Sequence, residues 1–500
     1  WAYDFAGTMG QVQRHGISRF RNDLKLSRHI GSICTYLPDA GWAAGVGVKH
    51  GVDPREMTES DLIVIWGGNP VNTQVHLMTQ IAASRKRGAK LVVVDPYRTK
   101  TAAQADFHLM VRPGTDGALA AAVMHVLFKE GLTDRDYLRD FTDHGPELER
   151  HLERKTPEWA EAICGVPVEQ IIEFARLWGG TKRAFMRCGY GFARSRNGAA
   201  QMHAVTCLPA VTGAWRHRGG GALYGNAGIY KLDRTLLDGT DVADPTLRAL
   251  DMTRIGRVLT GEQESLNGGP PVEALFVQNT NPMSVAPETT RVREGFARDD
   301  LFVCVHEQFM TDTAAMADIV LPATMFLEHT DMYTGGGHTL LMLSKPIIEP
   351  YADCRTNHQV LSTLAKRLGG THRGFDMSEW DIIDETLRLS RMPSADEVWA
   401  KDKWIDCALP FEDAHFLNGF GTPDKRFHFA PDWSRVGANN SDMPSLPDHF
   451  DNIDKADEER PFRLVAAPAQ SYLNSTFTET PTSQKTEKQP AAKLHPDDLS

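Results

Sequence analysis

The sequence predicts an α/β protein with two related parallel-sheet domains, and three observations carry that prediction. DLIVIWGG and KLVVVDP are continuous apolar runs ended by Gly or Asp-Pro, the pattern of strands buried on both faces. TQVHLMTQIAASRKRGAK lies between them and reads as a helix with basic residues in its last turn, so strand, helix and strand imply a right-handed crossover. The third observation is an internal repeat. A shift of 212 positions carries Asn69-Pro70 onto Asn281-Pro282, Asp95 onto Glu307, and Thr101-Ala102-Ala103 with Ala105-Asp106 onto Thr313-Ala314-Ala315 with Ala317-Asp318. Two copies are too few for a solenoid, and a pair of related domains fits them.

The remaining elements follow in order. The first sixty residues are Gly-rich and irregular, with SRFRNDLKLSRHI as a short helix. GALAAAVMHVLFKEG and PVEQIIEFARLWGG read as helices, RAFMRCGYG as a strand, NGAAQMHAVTCLPAVTGAW as a helix, and VEALFVQ opens the second copy. The expected division is 30–230 for one domain and 1–29 with 231–410 for the other. Pro, Asp, Asn and Ser then mark a linker within 411–460, and PFRLVAAPAQSYLNSTF opens a β-like segment in 461–500.

Composition narrows the function. With 500 residues, 41% hydrophobic, the chain can bury a large core, and a formal net charge of −11 argues against nucleic-acid binding. Seven scattered cysteines make no disulfide framework, so a reducing, cytoplasmic setting is expected. No apolar run approaches the length of a membrane span. Trp1 opens without a starter Met or leader and the chain stops at HPDDLS, so a fragment is expected.

The chemistry-bearing residues cluster at strand ends, where open α/β sheets bind ligands. Gly67 and Gly68 let a backbone approach a pyrophosphate, Asn69 offers a side chain or a helix cap, and Asp95 stands where nucleotide-binding sheets place an acid. The second copy offers Gln278, Asn279, Asn281 and Glu307. The competing reading is that each Asn-Pro only makes a turn. Gly189, Gly191 and Arg194 form a third strand-end loop, either a phosphate contact or a tightened turn. Cys34 in GSICTYLPDAGW is a soft metal donor or a small buried hydrophobe. His329 and His338 read as scaffold, since no metal-ligand spacing surrounds them. Neither strand is followed by GxGxxG, which argues against a nicotinamide dehydrogenase.

Together, WGGNP, VVVDPYRTKTA, HLMVRPGTDGAL, QNTNP, ADIVLPATMFLEHTD and RTNHQVLSTLAKRLG resemble the molybdopterin-dependent oxidoreductases of the dimethyl sulfoxide reductase family, along nearly the whole chain. The resemblance implies two pseudo-symmetric α/β domains around a bis(molybdopterin guanine dinucleotide) cofactor holding molybdenum or tungsten, and an oxygen-atom transfer or dehydrogenation of a small substrate. It assigns Gly68, Asn69 and Asp95 to one guanosine and its phosphates, Asn279, Asn281 and Glu307 to the other, and Arg112 and Asp116 to the cofactor's surroundings. It makes Cys34 the protein ligand to the metal, ahead of Ser32. A [4Fe–4S] cluster is expected from the family's amino-terminal segment, and the start of a C-terminal β-barrel domain in 461–500. An electron-transfer partner is expected too. Thr35 follows Cys34 where formate dehydrogenases of the family carry His, which counts against formate oxidation. The alternative is a cofactor-free structural or electron-transfer subunit of the same fold.

Overall fold

The computed structural model describes residues 1–437, 440–451 and 455–499. Along the chain the strands are β1 (Ala2–Asp4), β2 (Arg28–Ile30), β3 (Leu62–Trp66), β4 (Lys90–Val94), β5 (Phe107–Leu109), β6 (Ala184–Cys188), β7 (Gly221–Leu223), β8 (Ala249–Asp251), β9 (Ala274–Gln278), β10 (Phe302–Glu307), β11 (Ile319–Pro322), β12 (Asp331–Tyr333), β13 (Leu340–Ser344) and β14 (Trp404–Asp406). The apolar run of β3 is fully buried because it is the middle of an all-parallel sheet ordered β5-β4-β3-β6-β7. Leu62 lies beside Lys90 and Ala184, and Trp66 beside Val94 and Cys188. The helices Asp116–Lys129, Val168–Gly179 and Gly198–Val211 stand where the sequence places them, the last buried along its whole length.

The second parallel sheet has the order β1-β9-β10-β11. The 212-residue shift carries β3 onto β9, and the starts of β4 and β5 onto those of β10 and β11. The relation also continues where the linear shift fails. β6 lies beside β3 with Cys188 against Trp66, and β1 lies beside β9 with Asp4 against Gln278. Three residues on, Gly191 and Gly7 occupy matching places: a Cβ on Gly191 would stand 2.8 Å from the Gly67 oxygen, and one on Gly7 would stand 2.3 Å from the Asn279 Cβ. The first residues of the chain thus supply the flank of the second sheet. β12, β13 and β14 form a separate antiparallel sheet, and β2 pairs with β8.

Three expectations need correction. The helix placed at SRFRNDLKLSRHI runs instead over Gln11–Asp23, because Val12 packs into one apolar cluster and Ile17 and Phe20 into another, and Arg28–Ile30 is extended as β2. The expected 411–460 linker is packed over 411–437 and 440–450 rather than loose. Its aromatic residues Phe416, Phe420, Phe427 and Phe429 enter the core of the five-stranded sheet, and Trp433 packs on the helices behind Cys34. The β-like segment after Pro461 forms no strand among the described residues beyond an isolated Leu473–Thr476 bridge. Leu464 there is 92% exposed, so no neighbour supplies the partner a strand requires.

A buried ion pair fastens the 411–420 segment. His415 Nε2 lies 2.9 Å from Glu56 Oε2, and its Nδ1 lies 2.7 Å from the Trp215 carbonyl. Burial alone would raise the Glu56 carboxyl, but the His415 hydrogen bond and charge hold it below the usual range. Replacing His415 by Ala leaves that buried carboxylate with only the Gly219 amide at 3.1 Å and the half-exposed Arg218 guanidinium at 3.3 Å. The expected cost in urea unfolding is about 1.5–3 kcal/mol, the contribution of a hydrogen bond to a charged group; a loss under about 0.5 kcal/mol would contradict this account of the segment.

Candidate functional site

Each central strand ends in the same turn. Gly67 has φ +65° and its repeat partner Asn279 has φ +61°, left-handed conformations that Gly and then Asn adopt at least cost. Asn69 and Asn281 follow with φ −127° and −122°, both at ψ 73°. The Thr101 hydroxyl donates to Asn69 Oδ1 at 2.7 Å, and the Thr313 hydroxyl to Asn281 Oδ1 at 2.6 Å. The same hydroxyls accept from the Val71 and Met283 amides at 3.2 and 3.1 Å. One turn further, Asp106 accepts from the Leu91 amide and Asp318 from the Val303 amide, each at 2.7 Å. The repeat therefore holds bond by bond.

This corrects the roles given to the asparagines. Neither side chain caps its helix, and each Oδ1 is occupied by a threonine. The helices Pro70–Thr73 and Pro282–Val285 are single turns, so little of an anion's binding derives from a helix dipole. The Oδ1 atoms of both asparagines therefore serve the fold.

The acids lie one strand over. Asp95 is 7% exposed, and its Oδ1 accepts from the Tyr97 amide at 3.3 Å. Burial raises its pKa to about 7, with the charge of nearby Asp116 adding to the effect. Asp116 opens the helix Asp116–Lys129 and accepts from Trp66 Nε1 at 2.8 Å, its pKa also raised by burial. In the second half, burial raises Glu307, which accepts from the Gln308 amide at 2.7 Å. Gln278 Oε1 and Asn279 Nδ2 are buried without a hydrogen-bond partner. Under-satisfied acids and amide groups at both strand ends fit the N–H and O–H groups of a bound nucleoside.

The other predicted residues divide. Gly189 and Gly191 face the Gly67-Gly68 turn so closely that a Cβ on Gly189 would stand 2.2 Å from the Gly67 oxygen; the tightened-turn reading accounts for both. Arg194 is exposed at the end of that loop. Arg112 is directed away, donating to the carbonyls of Ala162 and Ile163 at the end of the helix Pro157–Cys164. His338 sits among Tyr230 and the Leu340 amide as scaffold. His329 Nδ1 meets the Thr324 hydroxyl at 2.9 Å, and its Nε2 is buried without a partner.

Cys34 is exposed, just before the helix Tyr36–Val46, and its amide donates to Ser32 Oγ at 3.3 Å. Near it the two halves meet: the Asn226 amide donates to the Gly336 carbonyl at 2.8 Å, and the Tyr190 hydroxyl approaches Gly336. Among the described residues, no group of three or more His, Cys, Asp or Glu side chains is arranged to hold a metal ion. A metal at Cys34 would therefore take its other donors from its own cofactor.

The sequence reading missed two features. One is the threonine pair Thr101 and Thr313, visible in the repeat but not assigned a bond. The other is Arg187 on β6, 3% exposed, which reads as a break in an apolar strand. It donates to the carbonyls of Cys188, Leu223 and Tyr224 and to Gln74 Oε1, every one a neutral acceptor. Its charge is thus uncompensated at the strand ends, where it favours an anionic ligand.

The family model for molybdopterin oxidoreductases matches residues 23–367. The chain is 35% identical over 494 residues to the probable oxidoreductase YoaE of Bacillus subtilis, covering 98% of this chain and 71% of the relative. It is 26% identical over 513 residues to trimethylamine-N-oxide reductase of Haemophilus influenzae, covering 89% of this chain and 61% of that one. Acetylene hydratase from Pelobacter acetylenicus shares the fold, with a TM-score of 0.77, 19% identity, and coverage of 99% and 73%. The chain belongs to the molybdopterin oxidoreductase family. Its relatives are named oxidoreductases, reductases and dehydrogenases, and the cofactor-free alternative is not favoured. The family implies a molybdenum or tungsten pterin cofactor, and the chain spans only 59–71% of the length of the relatives YoaE, YyaE and trimethylamine-N-oxide reductase. No helix among the described residues is long and apolar enough to cross a membrane.

The raised Asp95 carboxyl gives a pH test. Its ordinary value is 3.8 and its folded value about 7, so between them the fold keeps a proton that the unfolded chain has lost. Stability therefore falls as pH rises through that window. In cofactor-free protein, Asp95→Asn removes this loss and gains on the order of 3 kcal/mol relative to wild type between pH 4 and pH 8. Parallel pH profiles for the two proteins in urea unfolding would rule the effect out.

Proposed function

We propose that the chain is the catalytic body of an enzyme that transfers an oxygen atom to or from a small substrate, or dehydrogenates one, at a bis(molybdopterin guanine dinucleotide) centre. Residues 30–230 take one dinucleotide through Gly67, Gly68, Asn69, Asp95 and Asp116, with Gly189 and Gly191 tightening the turn and exposed Arg194 offered to a phosphate. Residues 1–29 with 231–410 take the other through Gln278, Asn279, Asn281 and Glu307. Arg112 leaves this set, since its guanidinium is turned to Ala162 and Ile163. The observation that carries the reading is the repeat, kept in sequence and in matched hydrogen bonds at both strand ends.

Cys34 is the proposed protein ligand to the metal. The bound cofactor supplies two-electron chemistry through its metal, and the protein supplies orientation and electrostatics. Asp95 and Glu307 hold base or ribose donors, the threonine-locked turns set the distance to the phosphates, and Arg187 offsets anionic charge. Thr35 beside Cys34 favours oxygen-atom transfer or a non-formate dehydrogenation. A [4Fe–4S] cluster and an electron-transfer partner would carry electrons to or from the metal, in a cytoplasmic setting.

Metal analysis of anaerobically purified protein should find molybdenum or tungsten, and finding neither would sink the proposal. Cys34→Ala should abolish turnover, by at least a thousandfold, while pterin fluorescence after acid extraction stays at the wild-type level. Full activity in that variant would remove Cys34 from the metal.

A further inference from the structure

The loop that carries Cys34 is fastened from behind by side chains outside the dinucleotide sites. Thr35 is the residue before the helix Tyr36–Val46, yet its side chain makes no cap hydrogen bond. Its hydroxyl instead donates to Asp39 Oδ2 at 3.1 Å, one turn along the helix, and the Asp39 amide returns to the Thr35 carbonyl at 2.9 Å. Lys49 Nζ donates to the same Asp39 oxygen at 2.6 Å. The other Asp39 oxygen and the Tyr224 hydroxyl are buried against each other, with no further hydrogen-bond partner. Burial raises the Tyr224 hydroxyl, and Asp39 is the charge that adds most to the effect, so the two groups lie close together.

This cluster connects to the surroundings of Cys34 on its other side. The Tyr190 ring meets the Tyr224 ring edge-on with centroids 5.4 Å apart. Tyr190 is 43% exposed, and its hydroxyl is directed at Gly336 of the other half. Ser32 Oγ accepts from the Cys34 and Thr35 amides at 3.3 and 3.5 Å, so the loop backbone is held at Ser32 and at Thr35.

An acid in the first turn of a helix ordinarily stabilises that helix through its dipole. That role needs neither the threonine nor the lysine. We propose that Asp39 is a positioning residue for Cys34: with Lys49 holding its carboxylate, it fixes the Thr35 hydroxyl and so the backbone that directs the thiol toward the metal. The proposal rests on the reading of Cys34 as metal ligand, and it concerns the loop's order, which is measurable without turnover.

The test compares wild type, Asp39→Asn, Thr35→Val, Thr35→Ser and Lys49→Met in the purified protein by hydrogen–deuterium exchange, together with X-ray absorption at the metal edge. Asp39→Asn and Thr35→Val should speed exchange in the peptide spanning 31–36 at least fivefold. Lys49→Met should do so to a smaller degree. Thr35→Ser, which keeps the hydroxyl, should match wild type, and exchange in β3 should not change in any variant. At unchanged metal content, the cysteine-sulfur contribution to the absorption spectrum should fall in Asp39→Asn and Thr35→Val and be kept in Thr35→Ser. Unchanged exchange over 31–36, or a rise spread evenly through the helix Tyr36–Val46 with Thr35→Val inert, would overturn the positioning role alone. A wild-type spectrum without cysteine sulfur would overturn the ligand reading and this proposal with it.

Discussion

A threonine hydroxyl bonded to an asparagine oxygen at the end of each central strand ties the turn after that strand to the loop after its neighbour. Thr101 belongs to the connection between β4 and β5, Asn69 to the turn after β3, and the bond at 2.7 Å joins them. Thr313 and Asn281 do the same between the ends of β10 and β9. Because Asp95 and Glu307 sit at the ends of those neighbouring strands, the lock fixes the separation between the turn and the acid. A left-handed residue at 67 and 279 reverses the chain tightly enough for the lock to close. An isolated hydrogen bond contributes about 1 kcal/mol, but here its geometric consequence exceeds its energy.

The two sheets were legible in the sequence because their strands are continuous apolar runs and their connecting helices have clear ends. The repeat was legible because its matched residues are small, polar and irregularly spaced, which no periodic element imitates. The matching of β6 with β1 was not legible, although RAFMRCGYG itself reads as a strand. β6 and β1 stand on equivalent flanks, but β1 comes from the chain's start, so no single shift aligns them. The packing of 411–437 was hidden for a different reason: Phe416 and Phe420 stand four apart, as on a helix, but Gly419, Gly421 and Pro423 interrupt the run before Phe427.

At the site, the sequence placed residues better than it assigned their contacts. Asp95 is a buried acid and Asp116 and Glu307 are half-buried acids beside the strand ends, where a ligand with N–H donors is the natural partner. Asn69 and Asn281 sit at the expected positions but direct their oxygens to threonines. Arg112 shares a motif with Asp116 yet turns the opposite way, since the carbonyls at the end of the helix Pro157–Cys164 are within its reach. Side-chain direction depends on neighbours distant in sequence, which local pattern does not encode. Arg187 makes the same point: its acceptors at 223 and 224 come from β7 and the residue beyond it.

The central claim is that two equivalent half-sites each hold one guanine nucleotide. It is tested most directly by acid hydrolysis of the purified protein, with guanosine monophosphate and metal measured on the same sample. The account predicts two guanine nucleotides per metal in wild type. It also predicts a fall toward one when either Asp95 or Glu307 is replaced by its amide. A ratio of one in the wild type, or one unchanged by both substitutions, would contradict the paired-site account.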